Sequence, residues 1–159
     1  MIRAILSPDE ASRACEHLIG LLPDWFGLPE SNAAYVAGVA ECTCYGAFDT
    51  AGTCIGLIAL RPHFETTLEV WWMGVDPGCH RKGIGEKLIG AAVDEASRLG
   101  CSAMVLTTLG EESDDPGYAA TRRFYLAQGF RALVHDHMAD PECPMIWMIR
   151  HVDRAEASA

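Results

Sequence analysis

The stretch from Trp71 to Gly100 constrains the fold more than any other part of this chain. An apolar run ends at Val75, turn-forming residues occupy 76–78, and apolar positions then recur at helical spacing as far as Leu99. This pattern predicts a strand, a tight turn and a helix. Glycines and cations stand where the helix begins, so unpaired backbone N–H groups and the positive end of the helix dipole converge there. Such a spot is suited to binding phosphate.

Periodicity along the rest of the chain predicts a mixed α/β (α+β) fold. A strand is expected at 2–6, and Ser7, Pro8 and Glu10 form a helix start signal before an apolar stripe that stops at Pro23. The other predicted helices cover 30–41, the stretch after the turn, and 118–128, and the other predicted strands cover 43–48, 53–60, 67–75, 102–109, 130–135 and 145–151. We therefore expect about seven strands in a mixed, mostly antiparallel central sheet flanked by four helices.

Length and charge restrict the class of protein. A chain of 159 residues suits a single domain, which we expect over 1–151, with a frayed polar tail over 152–159. The formal net charge of −10 argues against nucleic-acid binding and mildly favours a cationic partner. No signal-peptide pattern or membrane-length apolar run is found, so we expect a cytoplasmic protein with no membrane partner. A homodimer stays open.

Metal binding is not expected from the cysteines and histidines. The seven cysteines form no regular framework, and Cys42-Thr43-Cys44 lacks the two-residue spacer of common zinc sites, so we expect free thiols. Strand alternation would put Asp136 opposite His135 and His137, which favours surface histidines over a metal pair. The acidic loop 111–115 is interpreted as a solvated loop, with attraction of a polyamine or an aminoglycoside as the alternative.

Two motifs, one in the turn and one about forty residues later, indicate more specifically what the turn binds. Gly83-Ile84-Gly85 fits neither the dinucleotide fingerprint nor the Walker loop, because the required spacings are absent. The segment 80–85, His-Arg-Lys-Gly-Ile-Gly after a strand ending in Val, resembles the Gln/Arg-x-x-Gly-x-Gly/Ala signature of the GNAT superfamily of acyl-CoA-dependent N-acetyltransferases. The segment 124–130, Phe-Tyr-Leu-Ala-Gln-Gly-Phe, is similar to that family's second motif, and the element order is similar from Ile2 to His151.

The resemblance implies acetyl-CoA as the acyl-donor cosubstrate and no metal. Backbone N–H groups of Arg81 to Glu86 would hold the pyrophosphate, and the splayed end of the strand at 73–75 would bind the pantetheine arm and direct an N–H group at the thioester oxygen. His80 replaces the usual Gln or Arg, and Tyr118 stands where many relatives have Asn. The implied cofactor-binding residues are Met73, Gly74, Val75, His80, Arg81, Lys82, Gly83, Ile84, Gly85, Glu86, Tyr118 and Phe124.

Two residues are implied to move protons. By similarity, Tyr125 is the general acid for the departing CoA thiolate; the alternative is a core aromatic on a short helix. Glu69, fourteen residues before Gly83, resembles the base carboxylate of the histone-acetylating branch. Its alternative roles are to hold a backbone amide or a substrate cation, with water removing the amine proton instead.

The implied activity is acetyl transfer from acetyl-CoA to a primary amine, by direct attack through a tetrahedral intermediate. The acceptor would be a cationic small molecule or a peptide or protein amine, and Trp25, Phe26 and the loop 136–144 occupy family positions that vary with substrate. The alternatives are another acyl donor, a hydroxyl acceptor, or a catalytically silent acyl-CoA-binding or regulatory module.

Overall fold

The computed structural model describes residues 1–138 and 142–153, and these contain seven strands and four α-helices in the predicted order. The strands are β1 Ile2–Ile5, β2 Thr43–Phe48, β3 Cys54–Pro62, β4 Thr67–Val75, β5 Ala103–Leu109, β6 Arg131–His135 and β7 Met145–His151. The helices are α1 Pro8–Leu21, α2 Pro29–Gly38, α3 Ile84–Arg98 and α4 Pro116–Ala127, and short 3₁₀ turns lie at Val39–Glu41 and Pro77–Cys79.

All seven strands form one sheet in the order β1-β2-β3-β4-β5-β7-β6. Strand β4 stands fourth, which confirms the central position predicted from its two apolar faces. It pairs in parallel with β5, whereas the β1–β2, β2–β3, β5–β7 and β6–β7 pairs are antiparallel. The predicted mixed, mostly antiparallel sheet is therefore confirmed.

The chain divides into two compact units. The first consists of Met1–Arg61 and Val70–Glu95, and its core contains the stripe of α1 together with side chains of β2, β3 and β4. Helix α1 begins as predicted, because the Ser7 side chain accepts a hydrogen bond from the Glu10 N–H at 3.4 Å. The buried stripe consists of Ala11, Ala14, Cys15, Leu18 and Ile19.

The second unit comprises, as far as it is described, Pro62–Glu69 and Ala96–Ala159. Helix α4 begins two residues earlier than predicted, because Asp115 caps its first turn and Pro116 stands at the first helical position. Val152 is buried, and its N–H donates to Ser102 O at 3.0 Å. Positions 139–141 of the predicted substrate loop and 154–159 of the predicted tail lie outside the described residues.

In the described part of the chain, the helices are all too short or too polar to cross a bilayer. The seven cysteines all lie in the described part of the chain and form no disulfide bond, and Cys15, Cys44 and Cys101 are buried.

Candidate active site

The turn after β4 is closed by its own polar groups. The Asp76 N–H donates to Ile55 O at 3.0 Å, which fixes the end of β4 against β3. The Asp76 carboxylate accepts from the Gly78 N–H at 2.8 Å, and Pro77 stands at the first position of the following 3₁₀ turn. Since Pro presets the backbone and Asp caps it, the segment predicted as a turn from Asp-Pro-Gly is rigidly specified.

Two residues in this turn adopt left-handed backbone conformations just before α3. Arg81 has φ +58° and is the sole non-glycine residue with positive φ among the described residues, and Gly83 has φ +76°. Positive φ in a bulky residue is costly, and such conformations concentrate at ligand-binding sites. Alternation of right-handed and left-handed residues turns successive N–H groups inwards and forms a concave anion site.

The start of α3 contributes further N–H groups to the same spot. The Lys87 N–H donates to Gly83 O at 3.1 Å, and this bond closes the first turn of the helix. The N–H groups of Ile84, Gly85 and Glu86 precede that bond, so no helical carbonyl is available to them. With 15 residues, α3 also adds the positive end of its dipole. The turn and the helix start together can bind a phosphate group through main-chain atoms.

The side chains of the turn point back at its own backbone. Lys82 Nζ donates to Gly78 O at 2.7 Å, and His80 Nε2–H donates to Val75 O at 2.9 Å. The Trp25 ring meets the His80 ring edge-on, with centroids 6.1 Å apart. His80 therefore bonds the end of β4 and contacts the α1–α2 loop, a contact that the sequence did not indicate.

Strand β4 contains the predicted pantetheine segment. Leu68, Val70, Trp72 and Gly74 are buried, while Trp71, Met73 and Val75 are partly exposed. A Cβ atom at Gly74 would lie 2.5 Å from the Trp72 ring, so packing requires glycine there. Strand β4 pairs in parallel with β5 at Thr67–Glu69, and Glu69 stands opposite Val105.

Glu69 is a buried carboxylate with one side-chain hydrogen-bond partner among the described residues. Its Oε2 lies 2.8 Å from His63 Nε2, and the side chains of Glu69 and His63 are 9% and 38% exposed. The His63 ring also meets Trp147 edge-on at 6.2 Å. The sequence analysis did not identify His63, which directly follows β3 and stands across the tight turn from Glu69 of β4.

Tyr125 lies on α4 where the second motif ends the helix. Gly129 adopts φ +82°, and the Phe130 N–H then donates to Tyr125 O at 3.0 Å, as in a Schellman motif. This turn brings the Phe130 ring edge-on to the Tyr125 ring, with centroids 5.7 Å apart. The Phe124 ring lies 5.3 Å from the Tyr125 ring on the other side. The spacing Tyr-x-x-x-Gly-Phe thus builds an aromatic setting around one phenol.

The phenol of Tyr125 is held in its neutral form. Burial raises the pKa of Tyr125 to about 12, and the neighbouring Tyr118 adds to the rise in pKa. The two tyrosines stand seven residues apart, which places them on one face of α4. Tyr125 therefore stays a neutral phenol through the neutral pH range.

The predicted site residues are distributed over the two units. The turn 80–86, the segment 73–75 and Trp25 belong to the first unit, which brings the turn, the end of β4 and the α1–α2 loop together. The predicted catalytic residues and the two aromatic cofactor residues belong to the second unit; these are Glu69, Tyr118, Phe124 and Tyr125.

Other candidate sites carry less chemistry. His135 Nδ1 lies 3.3 Å from Glu112 Oε1, and its ring lies 6.4 Å from that of His137. In the described residues no group of three or more His, Cys, Asp or Glu side chains could hold a metal ion.

A shallow cavity of about 490 Å³ includes Arg131 and Arg150 in its lining. Arg150 donates to Gln128 O there and caps the end of α4, so this cation has a structural role.

Comparison with known proteins gives the family. A model of the acetyltransferase (GNAT) family matches residues 8–130. Since the match spans most of the chain and includes both motifs, the protein belongs to the GNAT family and is an acetyltransferase. No curated protein matches the chain.

Solved structures share the fold along almost the whole of both chains. A GNAT-family protein from Desulfovibrio desulfuricans is 19% identical with a TM-score of 0.81, covering 96% of this chain and 99% of its own. The ribosomal-protein-S18-alanine N-acetyltransferase from Escherichia coli is 16% identical with a TM-score of 0.74, covering 100% and 97%. An aminoglycoside 6'-N-acetyltransferase complexed with coenzyme A is 18% identical with a TM-score of 0.71, covering 98% and 99%. These similarities confirm the predicted fold.

Proposed function

We propose that this protein transfers an acetyl group from acetyl-CoA to a primary amine by direct attack. The observation that carries the proposal is the main-chain anion site formed by the left-handed residues Arg81 and Gly83 and the open start of α3. That site suits the pyrophosphate of a coenzyme A thioester in a member of an acetyltransferase family. The proposal treats residues 1–151 as one cytoplasmic acetyltransferase domain.

The proposed donor site uses backbone groups of the first unit. N–H groups of Arg81 to Glu86 bind the pyrophosphate, and His80 holds the turn through Val75 O. The main chain of β4 along 73–75 pairs with the extended pantetheine arm as an added strand would. An N–H group of this segment then faces the thioester oxygen and stabilises the oxyanion that forms during amine attack.

Tyr125 is proposed as the general acid. Departure of CoA creates a thiolate, which leaves more readily when a phenol donates a proton to it. Because burial raises the pKa of Tyr125 to about 12, the phenol is present as the acid throughout the neutral range. Tyr118, on the same face of α4, and Phe124 are proposed to contact the cofactor.

Glu69 is proposed as the general base. An alkyl ammonium has a pKa near that of lysine, about 10, and must lose a proton before its nitrogen can attack. Glu69 is a carboxylate in a buried strand position, where substrate binding removes water and strengthens its interaction with a cation. The net charge of −10 supports a cationic amine as acceptor.

Steady-state release of CoA, followed with a thiol reagent across a panel of small amines and peptides, tests this function. We expect turnover with at least one cationic amine, and a loss of about 10²–10⁴ in kcat for Glu69→Gln and for Tyr125→Phe. Glu65→Gln is the matched control, since Glu65 is an exposed carboxylate in the turn before β4. If acetyl-CoA binds but no acceptor discharges it, the protein is a silent acyl-CoA-binding module and the proposal is wrong.

A further inference from the structure

The turn between β3 and β4 joins a buried carboxylate to an exposed imidazole. The His63 N–H donates to Thr67 O at 3.0 Å and the Thr67 N–H to Phe64 O at 3.2 Å, so the backbone of this turn is fixed. His63 and Glu69 are then diagonal neighbours across the turn, and their side chains meet at 2.8 Å. Neither contact depends on any residue of the predicted donor site.

The hydrogen bond between Glu69 and His63 connects a buried side chain to one at the surface. The Glu69 side chain is 9% exposed, and Glu69 pairs with Val105 of β5. The His63 side chain is 38% exposed, and the Trp147 ring holds it from one side. A proton on Glu69 therefore needs to cross only one hydrogen bond to reach the solvent-exposed imidazole of His63.

Acetylation of an ammonium group releases one proton for each turnover. The reaction converts R–NH₃⁺ and acetyl-CoA into the amide, neutral CoA thiol and H⁺, because the thiol takes one proton and the ammonium loses two. A carboxylate that accepts a proton from the acceptor must lose it again before the next turnover. Since the Glu69 side chain is only 9% exposed, a base at this position needs a path for protons to solvent.

We infer that His63 is a positioning residue for Glu69 and carries the released proton from its carboxyl group to solvent. This inference rests on the proposed function. At rest the His63 Nε2–H donates to the Glu69 carboxylate. When the acceptor ammonium has given a proton to Glu69, exchange with water at the exposed ring produces the Nδ1–H tautomer, and its free Nε2 accepts the proton from Oε2. The imidazolium then loses its Nδ1 proton to water, which restores the Nε2–H bond to the carboxylate. Each proton lost by one group is gained by the next, and no oxidant or cosubstrate is required.

Removal of the imidazole should slow turnover without weakening donor binding. We expect His63→Ala to lower kcat about tenfold or more, but less than Glu69→Gln, with the acetyl-CoA Kd unchanged. His17→Ala is the matched control, since His17 is an exposed histidine on α1 in the other unit. In the Glu69→Gln background, His63→Ala should cause no further loss of kcat, because residue 69 then takes up no proton for His63 to carry.

Chemical rescue separates proton transfer from a structural role. In His63→Ala, added imidazole can enter the space left at the surface, and we expect kcat to rise about tenfold and to saturate with imidazole concentration. His63→Gln keeps a donor near the position of Nε2 but cannot take up and release a proton, so it should fold normally and stay slow. Thermal unfolding of both variants checks that the fold is intact.

The outcomes distinguish the inference from the function on which it rests. Full activity in His63→Gln, or no response of His63→Ala to imidazole, would show that His63 does not carry protons and would overturn the inference alone. Slow turnover in His63→Gln together with imidazole rescue supports it. A wild-type protein that releases no CoA with any acceptor overturns the proposed function itself.

Discussion

Substitution of Gly83 by alanine tests whether the main-chain anion site binds the donor. Gly83 has φ +76°, and no atom lies within 4 Å of the position that a Cβ would take. The cost of the methyl group is therefore backbone strain without a clash. Holding an L-residue in the left-handed conformation costs roughly 1–2 kcal/mol. Alanine also lowers the conformational entropy of the unfolded chain relative to glycine, and this offsets about half of that cost.

Gly100 provides an internal control for the same strain. It ends α3 with φ +74°, and a Cβ there also meets nothing within 4 Å. Both Gly83→Ala and Gly100→Ala should lower the free energy of unfolding by about 1 kcal/mol, which corresponds to about 2–4 °C in Tm for a chain of this size. The two variants differ in one respect, since Gly100 lies at the opposite end of α3 from the proposed pyrophosphate site.

Donor binding should respond to Gly83→Ala alone. If alanine relaxes to negative φ, at least one N–H group turns away from the pyrophosphate, and a hydrogen bond to a charged group contributes about 1.5–3 kcal/mol. The Kd for CoA, measured by isothermal titration calorimetry, should then rise roughly 10- to 100-fold. Thermal unfolding provides the parallel stability measurement. An unchanged Kd in Gly83→Ala, or an equal rise in Gly100→Ala, would refute the assignment of this turn as the donor site.

Further predictions concern ionisation, capping and thiols. Because folding raises the pKa of Tyr125 from 10.0 to about 12, wild-type protein should lose stability between those pH values, and Tyr125→Phe should lose less when urea unfolding is compared at pH 9 and 11. Asp115→Ala removes an acceptor for two N–H groups of α4 and should cost about 0.5–2 kcal/mol in the same assay. Burial raises the pKa of Cys15 and of Cys44 to about 12, so a thiol reagent should modify exposed Cys143 at once and these two only on unfolding.

The elements of this fold follow from local signals in the sequence. Ser7 and Pro8 start α1, two largely apolar faces mark the central strand β4, and Asp76-Pro77-Gly78 marks the turn, and each feature is present where it was expected. These signals work because capping, alternation and turn chemistry act over fewer than ten residues. Two helices differ from their predicted bounds. Helix α4 starts two residues early because Asp115 of the acidic loop caps it, and α2 ends at Gly38, where a 3₁₀ turn replaces its last predicted residues.

The contacts that give the candidate site its detail could not be predicted in the same way. Trp25 meets His80 from a position far away in the chain, and no local pattern links the two. The left-handed conformation of Arg81 is imposed by the turn, because arginine has no preference for it. The contact between His63 and Glu69, in contrast, could have been predicted from the sequence. Residues that flank a tight turn between two strands become cross-strand neighbours, and this rule could have identified the histidine.

The nature of the anion site explains how the first motif tolerates its unusual residues. A pyrophosphate held by main-chain N–H groups requires a backbone path, and Gly83 is the glycine of this turn whose left-handed conformation alanine would strain. In the proposed donor site, the His80 bond to Val75 O fixes this backbone path, so the site does not require the His80 side chain to contact the donor. The Arg81 and Lys82 side chains are exposed, and Lys82 supports the turn through its bond to Gly78 O. Donor affinity should therefore depend more on the left-handed backbone at Gly83 than on this one side-chain bond, so Gly83→Ala should weaken CoA binding more than Lys82→Ala does.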